Sequence, residues 1–190
     1  MRSAGRLFED VPEGFDYRPD FISEDDEVVL VDEISRVEFG TFEMRGVVAR
    51  RRVAFFGRSY DSGGVSPPIP SFLLPYRDLI ARWAGAESAA FAMALINEYP
   101  PGAPIGWHRD APQYGFVAGI SLLSSCRMKF RPYVAPKAQA QGQRRSATHE
   151  IMLDRRSGYL MRGPSRTSYE HHIPAVNALR YSITFRTLRG

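Results

Sequence analysis

Cysteine is almost absent from this chain of 190 residues, which contains only Cys126. A disulfide scaffold within the chain, and a zinc or iron–sulfur site held by several cysteines, are therefore excluded. The best apolar run, residues 89–96, is far shorter than the roughly 20 residues of a membrane-spanning helix. The N-terminal segment also lacks the apolar core of a signal peptide. We therefore expect no membrane association and a reducing, cytoplasmic location.

Lysine is also scarce, because 23 of the 25 basic residues are arginine. The charge is unevenly distributed along the chain. Residues 1–43 carry 4 arginines against 13 acids, a net charge of −9, whereas residues 44–190 carry 21 basic residues against 8 acids, a net charge of +13. A basic body favours a polyanionic partner such as nucleic acid, although ordinary solubility is a competing explanation.

The length fits one compact domain, which we divide into three segments, and we favour a monomer. Residues 1–43 are predicted to form an acidic arm followed by a short helix over 23–34, capped by Ser23. Residues 44–90 are predicted to contain a strand over 50–57, a loop rich in proline and glycine, and a helix over 75–83 that ends before Gly85.

Residues 91–190 have a sequence pattern that is typical of β-structure. Short runs of β-branched and aromatic residues are separated by glycine, proline and asparagine, which predicts seven strands. These strands are expected over residues 91–99, 117–123, 127–133, 149–153, 158–162, 169–173 and 180–187. Because no long helix intervenes, we predict a mainly β protein with flanking helices, folded as a double-stranded β-helix or jelly roll.

Histidine and aspartate occur in a pattern that indicates a metal site. His108 and Asp110 are two positions apart, so on an extended segment both side chains face the same side. A third ligand would come from His171 or His172, on a different predicted strand. Two histidines and one carboxylate form the facial triad of non-haem Fe(II) oxygenases. The His-x-Asp pattern also arises by chance, and zinc accepts the same ligands.

The last predicted strand carries two arginines on one face. The alternation of a strand divides these residues between two faces. One face carries Arg180, Ser182, Thr184 and Arg186, and the other carries Tyr181, Ile183 and Phe185. An arginine on the inner face of a barrel is costly unless it is paired with an anion. By periodicity alone, a reversed phase with both arginines solvated at an edge is at least as good an interpretation.

Five short motifs together resemble the AlkB family of Fe(II)- and 2-oxoglutarate-dependent dioxygenases. They are NEYPPG at 97–102, WHRD at 107–110, SL at 121–122, YEHHIP at 169–174 and RYSITFR at 180–186. The His-x-Asp element is common to many oxygenases, whereas the first and last motifs are much more specific. Their order and spacing match the family.

This resemblance implies a set of ligands and cofactors. His108, Asp110 and His171 look like the iron ligands, with His171 preferred to His172 by its place in the family pattern. Fe(II), 2-oxoglutarate and O₂ are the implied cofactor and cosubstrates. The residues implied to contact 2-oxoglutarate are Asn97, Tyr99, Arg180, Ser182 and Arg186. Arg180 would pair with the distal carboxylate, and Arg186 would lie near the iron-bound end.

The implied activity is oxidative demethylation of alkylated bases in DNA or RNA, as in DNA repair, with release of formaldehyde, succinate and CO₂. Residues 44–90 would form a lid over the nucleotide, and 91–190 the catalytic core. Arginines and aromatic rings suit phosphate contact and base stacking, although an amphipathic strand with Phe55 or Phe56 in the core is an equal alternative. The candidate substrate contacts are Arg50, Arg52, Phe56, Arg58, Tyr60, Trp107 and Arg166.

One departure from the family pattern leaves the substrate open. Founding members carry an acidic residue two positions after the metal-binding aspartate, where it faces the base. This chain has Pro112 there. A protein or small-molecule substrate for the same oxygenase chemistry is therefore the alternative hypothesis.

Overall fold

The computed structural model describes residues 11–44, 47–58, 66–135 and 148–189. Its strands are β1 (Phe15–Arg18), β2 (Gly40–Met44), β3 (Val47–Gly57), β4 (Met93–Tyr99), β5 (Ile105–His108), β6 (Tyr114–Leu122), β7 (Cys126–Pro132), β8 (His149–Leu153), β9 (Gly158–Met161), β10 (Tyr169–Ile173) and β11 (Arg180–Leu188). Its helices are α1 (Glu24–Ser35), α2 (Leu74–Ala84) and the single turn α3 (Pro164–Thr167), with 3₁₀ turns at Ser71–Leu73 and Ser88–Ala90.

The strands form two antiparallel sheets. The major sheet has seven strands in the order β1-β9-β6-β11-β4-β3-β2, and the minor sheet has four in the order β5-β10-β7-β8. Neighbours in a sheet are frequently distant in sequence, as expected when two sheets are wound as a jelly roll. The predicted mainly β fold with flanking helices is confirmed.

Two apolar cores lie on opposite faces of the major sheet. One core joins the sheet to α1 and α2, and includes Leu30, Ile80 and Ile183. The other lies between the two sheets and includes Leu95 and Phe130. Because both faces of the major sheet are covered, β4 is buried along its whole length and β11 along most of its length. This double burial is why the first four residues of β4, Met93–Ile96, are all apolar and why the polar residues of β4 and β11 require partners.

The two predicted helices are confirmed with their caps. Ser23 accepts a hydrogen bond from the backbone N–H of Asp26, and the Asp26 carboxylate accepts from the backbone N–H of Ser23, so the pair forms a capping box at α1. Gly85 ends α2 with φ 67°, a left-handed conformation that favours glycine. All eight predicted strands are present as β3, β4 and β6–β11.

Three strands were not predicted from the sequence. β1 lies within the segment interpreted as an arm, and it pairs with β9 at the edge of the major sheet, with Phe15 opposite Met161. β2 and β5 have five and four residues, and each contains glycine. Such short, charged or glycine-containing segments carry too little alternation to predict strands, and they are extended because a neighbouring strand offers hydrogen bonds.

Candidate active site

A cavity of about 560 Å³ lies between the two sheets. Its walls include residues of β3, β4 and β11 from the major sheet and of β5, β7 and β10 from the minor sheet. Arg109, on its lining, is exposed to solvent, whereas Tyr159 and Met161 are buried. The volume falls in the range of roughly 300–1,000 Å³ that is typical of small-molecule sites.

His108, Asp110 and His171 meet on one wall of this cavity. The antiparallel pairing of β5 and β10 sets His171 opposite His108, and their ring centroids lie 4.1 Å apart. Asp110 follows β5, and its Oδ2 atom lies 3.7 Å from His171 Nε2. The pairing of two strands thus brings together residues that are more than 60 positions apart in the chain.

The electrostatics of this cluster keep the carboxyl group ionised and His171 neutral. Burial opposes ionisation of Asp110, but the positive charge of Arg186 and the neighbouring imidazoles lower the pKa of its carboxyl group well below the usual range. Burial, reinforced by the nearby His108, lowers the pKa of His171 to about 3. An ionised carboxylate and a neutral imidazole are the forms that bind metals.

The orientation of His108 also suits a metal donor. Its Nδ1 atom lies 2.8 Å from the carbonyl oxygen of Gly106, a contact in which Nδ1–H donates. The lone pair of the neutral ring is then on Nε2. Histidines that bind metals are commonly held by such a hydrogen bond from the other ring nitrogen.

The chemistry of the donor set, two imidazoles and one carboxylate, suits a ferrous ion. Oδ2 of Asp110 is buried and has no hydrogen-bond partner among the described residues, next to two imidazoles. Among these residues, no three His, Cys, Asp or Glu side chains are placed so that they could hold a metal ion as they stand. A metal ion is the group that would satisfy the unpartnered oxygen, and two histidines with one carboxylate suit Fe(II).

His172 faces away from the cluster. Its Nδ1 atom lies 2.5 Å from the carbonyl oxygen of Ile105, and its ring stacks on Trp107 with centroids 5.0 Å apart. Adjacent residues of a strand point to opposite faces, so only one of the two histidines of β10 can reach the cavity. His149, on β8, contacts the ring of Tyr169 with centroids 5.7 Å apart.

Four of the five residues implied to contact 2-oxoglutarate line the cavity, namely Asn97, Tyr99, Ser182 and Arg186. Asn97 and Ser182 are opposite each other on β4 and β11, and Asn97 Nδ2 lies 3.4 Å from Ser182 Oγ. The predicted alternation of β11 is also present, since Ser182 and Thr184 line the cavity while Tyr181 packs toward the helices.

Arg180 is completely buried beyond the Tyr99 ring and is outside the cavity lining. Its guanidinium carbon lies 5.0 Å from the centroid of that ring, and its Nε atom donates to Ser121 Oγ at 3.0 Å. Nη1 and Nη2 are buried without an oxygen or nitrogen acceptor in the described part of the chain, and the described side chain that interacts with the guanidinium besides Ser121 and Tyr99 is the buried thiol of Cys126, a weak acceptor. A buried guanidinium with two unsatisfied nitrogens is costly unless an anion satisfies it.

Most of the candidate substrate contacts lie outside the cavity lining. Tyr60 is not among the described residues. Arg50, Arg52 and Arg58 are exposed, and Phe56 packs against the helix-side core. The two remaining candidates, Trp107 and Arg166, also lie outside the lining.

The partners of these side chains explain their positions. Arg52 pairs with Glu98 across β3 and β4, with Nη2 2.6 Å from Oε2. Trp107 is covered by the Arg131 guanidinium, 4.1 Å from its ring centroid. Arg166 is buried and donates to the carbonyl oxygens of Ala111 and Tyr114, so it braces the loop that follows Asp110.

Arg51 and Phe55, on the face of β3 opposite to Arg52, line the cavity, although the sequence did not single them out as substrate contacts. Val53 pairs with Asn97, so the odd-numbered positions Arg51 and Phe55 face the same side as Asn97. Arg51 donates from Nε to Asn97 Oδ1 at 3.2 Å, and its guanidinium lies 4.3 Å from the Phe42 ring centroid. The signal was the strand period itself, but it required a known register against β4.

This fold and site define an oxygenase. Residues 38–186 match the family model of the 2OG-Fe(II) oxygenase superfamily, and the chain belongs to that family. Family membership implies Fe(II), 2-oxoglutarate and O₂ as cofactor and cosubstrates, so the protein is a dioxygenase of the AlkB type, as the motifs indicated.

Curated relatives include two AlkB homologues. The probable RNA/DNA demethylase ALKBH6 of Danio rerio is 26% identical over 173 residues, covering 90% of this chain and 73% of the relative. The alkylated DNA repair protein ALKBH8 homolog of Arabidopsis thaliana is 26% identical over 147 residues, covering 67% of this chain. The match spans only 42% of that longer relative.

Solved structures share the fold at low sequence identity. OsALKBH1 has a TM-score of 0.67 at 14% identity, covering 93% of this chain and 99% of that one. A Pseudomonas putida prolyl-4-hydroxylase has a TM-score of 0.63 at 14% identity, covering 93% and 94%. Among the described residues, no helix has the length and apolar character needed to span a membrane.

Proposed function

We propose that this dioxygenase demethylates alkylated bases in DNA or RNA. The N-linked methyl group leaves as formaldehyde, while 2-oxoglutarate and O₂ are converted to succinate and CO₂. The observation that carries the proposal is that one cavity holds both the His108–Asp110–His171 cluster and an adjoining wall of Phe42, Phe55 and Arg51. The names of the two curated relatives, an RNA/DNA demethylase and an alkylated DNA repair protein homolog, support the same substrate class.

His108, Asp110 and His171 would hold the Fe(II) ion, which supplies the redox chemistry with O₂. The Nδ1–H bond of His108 to Gly106 orients one ring, and Arg186 orients the carboxylate. These contacts would hold the donors in place and maintain Asp110 as an anion.

The cosubstrate would lie along β11. Arg186, beside Asp110, would contact the keto-acid end of 2-oxoglutarate. The distal carboxylate would accept hydrogen bonds from Nη1 and Nη2 of Arg180. Asn97, Tyr99 and Ser182 would contact the molecule between these ends. An extended dicarboxylate matches two arginines six residues apart on one strand, since each meets a different anion.

A methylated base would reach this cavity only after it leaves the stack or from a single strand. The rings of Phe42 and Phe55, with centroids 6.4 Å apart, offer apolar surface to a flat base. Arg109 is exposed at the cavity, and its guanidinium stacks on Tyr133 at 3.5 Å from the ring centroid. Such a cation on an aromatic ring suits contact with the nucleic-acid strand, as does the net charge of +13 carried by residues 44–190.

The test measures succinate and formaldehyde from Fe(II)-loaded protein with methylated and unmethylated oligonucleotides of one sequence. We expect methylated DNA or RNA to stimulate succinate release, with equal formaldehyde, and we expect Asp110→Ala to abolish both. Succinate release without formaldehyde from any nucleic acid would contradict the proposal. That result would favour a protein or small-molecule substrate.

A further inference from the structure

The charged residues of the cavity favour one chemical class of methylated base. Four charged residues occur among its described lining residues: Arg51, Arg109, Asp110 and Arg186. The single acid, Asp110, is engaged by Arg186, whose Nη2 lies 3.0 Å from Asp110 Oδ1. The charges that remain to meet a substrate are the two cations Arg51 and Arg109.

Arg51 has hydrogen-bond donors to offer. Its Nε atom donates to Asn97, and no carboxylate pairs with it within the described residues. It is half-buried against the Phe42 ring, and burial lowers the pKa of its guanidinium. A partly desolvated guanidinium without an anion gains from a hydrogen-bond acceptor and is repelled by a second cation.

The loop after Asp110 supplies no compensating acid. Arg109 precedes Asp110 and is itself basic, Ala111 lines the cavity, and Pro112 is exposed and uncharged. A cationic base such as 1-methyladenine or 3-methylcytosine would therefore enter a cavity with two cations and no described carboxylate other than Asp110, which Arg186 already engages.

We infer that the substrate is a neutral N-methylated base with a carbonyl or ring-nitrogen acceptor beside its methylated nitrogen, recognised by Arg51. 3-Methyluracil and 3-methylthymine meet this description because two carbonyl groups flank the methylated nitrogen, and N6-methyladenine meets it through its ring nitrogens. The forked donors of arginine match such acceptors, whereas its charge disfavours the cationic bases. This inference rests on the proposed demethylase function.

The experiment compares kcat/KM on oligonucleotides of one sequence carrying 3-methyluracil, N6-methyladenine, 1-methyladenine or 3-methylcytosine, with formaldehyde as the readout. We expect the best neutral base to exceed both cationic bases by about tenfold or more, the lower end of the discrimination that a single differing contact gives. A preference for a cationic base would overturn the inference while the demethylase proposal stands. Formaldehyde from none of the four would overturn both.

Variants of Arg51 test its role directly. Arg51→Gln should remove the preference by lowering kcat/KM on the neutral base about tenfold, and Arg51→Glu should favour the cationic bases. Arg51→Lys, which keeps the charge and loses the fork, should still reject cationic bases. Arg127→Gln is the matched control, because it removes a charge from an exposed side chain on β7.

Two further readouts separate base recognition from other roles of Arg51. Fluorescence anisotropy measures the affinity of each oligonucleotide for the loaded enzyme in the absence of O₂. The wild type should bind the neutral bases more tightly than the cationic bases, and Arg51→Gln should lose this difference. Because Arg51 donates to Asn97, a proposed cosubstrate contact, any change in the KM for 2-oxoglutarate in Arg51→Gln should be small and the same with every base. A tenfold rise in that KM with an unchanged order of bases would assign Arg51 to the cosubstrate and overturn the inference.

Discussion

Arg186 holds Asp110 in place, with Nη2 3.0 Å and Nε 3.3 Å from the same carboxylate oxygen, Oδ1. The third nitrogen, Nη1, donates to Thr184 Oγ1 at 2.9 Å. A residue proposed to contact the cosubstrate therefore also orients a proposed iron ligand. The other carboxylate oxygen, Oδ2, remains directed to the histidine side of the cavity.

Arg186→Lys should weaken both functions, because lysine keeps the charge but cannot reach the carboxylate with two nitrogens. We expect Fe(II) affinity or kcat to fall by about 10–100-fold, the usual cost of losing a residue that orients a ligand. Metal titration of the apoprotein and succinate release would measure the two effects. Unchanged values for both would contradict the orienting role, and Arg127→Lys serves as the control substitution.

His171 and His172 should differ sharply when each is replaced by alanine. His171→Ala should lose activity by more than the roughly 10–100-fold cost of losing an outer-shell partner, since it removes a proposed ligand. His172→Ala should keep most of the activity, because its ring stacks on Trp107 outside the cavity. Succinate release and Fe(II) binding by both variants decide between them. The reverse order would exchange the two assignments.

Because the guanidinium of Arg180 is buried with unpartnered nitrogens, we expect bound 2-oxoglutarate to stabilise the folded protein. At a ligand concentration of 100 times Kd, selective binding to the native state adds about 2.7 kcal/mol to the free energy of unfolding. Arg180→Lys should reduce this gain at the same concentration, because lysine loses the forked contact with the distal carboxylate. Denaturant unfolding would measure it. Pyruvate, a 2-oxo acid without that carboxylate, should stabilise the wild type much less, and equal stabilisation by both acids would contradict the assignment.

Gly119 has no room for a side chain. A Cβ atom there would lie 2.6 Å from the hydroxyl oxygen of Tyr159 and closer still to its ring. Tyr159 lines the cavity and is buried, so the ring would have to move into it. Gly119→Ala should cost about 1–3 kcal/mol of stability, as overpacking does in a dense core. It should also raise the KM for 2-oxoglutarate. Gly106→Ala, where a Cβ meets nothing within 4 Å, is the stability control.

Asp26 should contribute stability that depends on pH. Its hydrogen bond with the Ser23 side chain, above all, lowers the pKa of the Asp26 carboxyl group below 3.8, and Tyr76 donates to it at 3.0 Å. A lowered pKa in the folded state gives stability that is present above the unfolded value and lost as pH falls through the folded one.

Asp26→Asn should therefore lower the free energy of unfolding by about 1 kcal/mol at pH 7, a typical capping contribution at a partly exposed site. The deficit should shrink below a pH of about 4, where the wild-type carboxyl group also becomes neutral. Urea unfolding at several pH values measures the difference. Asp25→Asn, an exposed acid in the same turn, is the control, and a deficit independent of pH would contradict the ionic cap.

The sequence by itself determined the class of the fold and most of its elements. Strong local signals did this, such as the Ser23 cap, Gly85 after α2, and strands of β-branched and aromatic residues. The motifs around His108 and in β11 also indicated the family, because the residues of each motif are contiguous in the sequence. β1 and β5 escaped prediction, since their extended backbone depends on hydrogen bonds from distant partners.

Only the tertiary structure decided which side of each strand faces the cavity. Residues 50–52 are all arginine, so the sequence does not distinguish them. The pairing of Val53 with Asn97 turns Arg51 into the cavity and places Arg52 beside Glu98. The pairing of β10 with β5 likewise turns His171 toward His108 and leaves His172 outside. A shift of one residue reverses every side chain of a strand, and the partners that set this register lie tens of residues away.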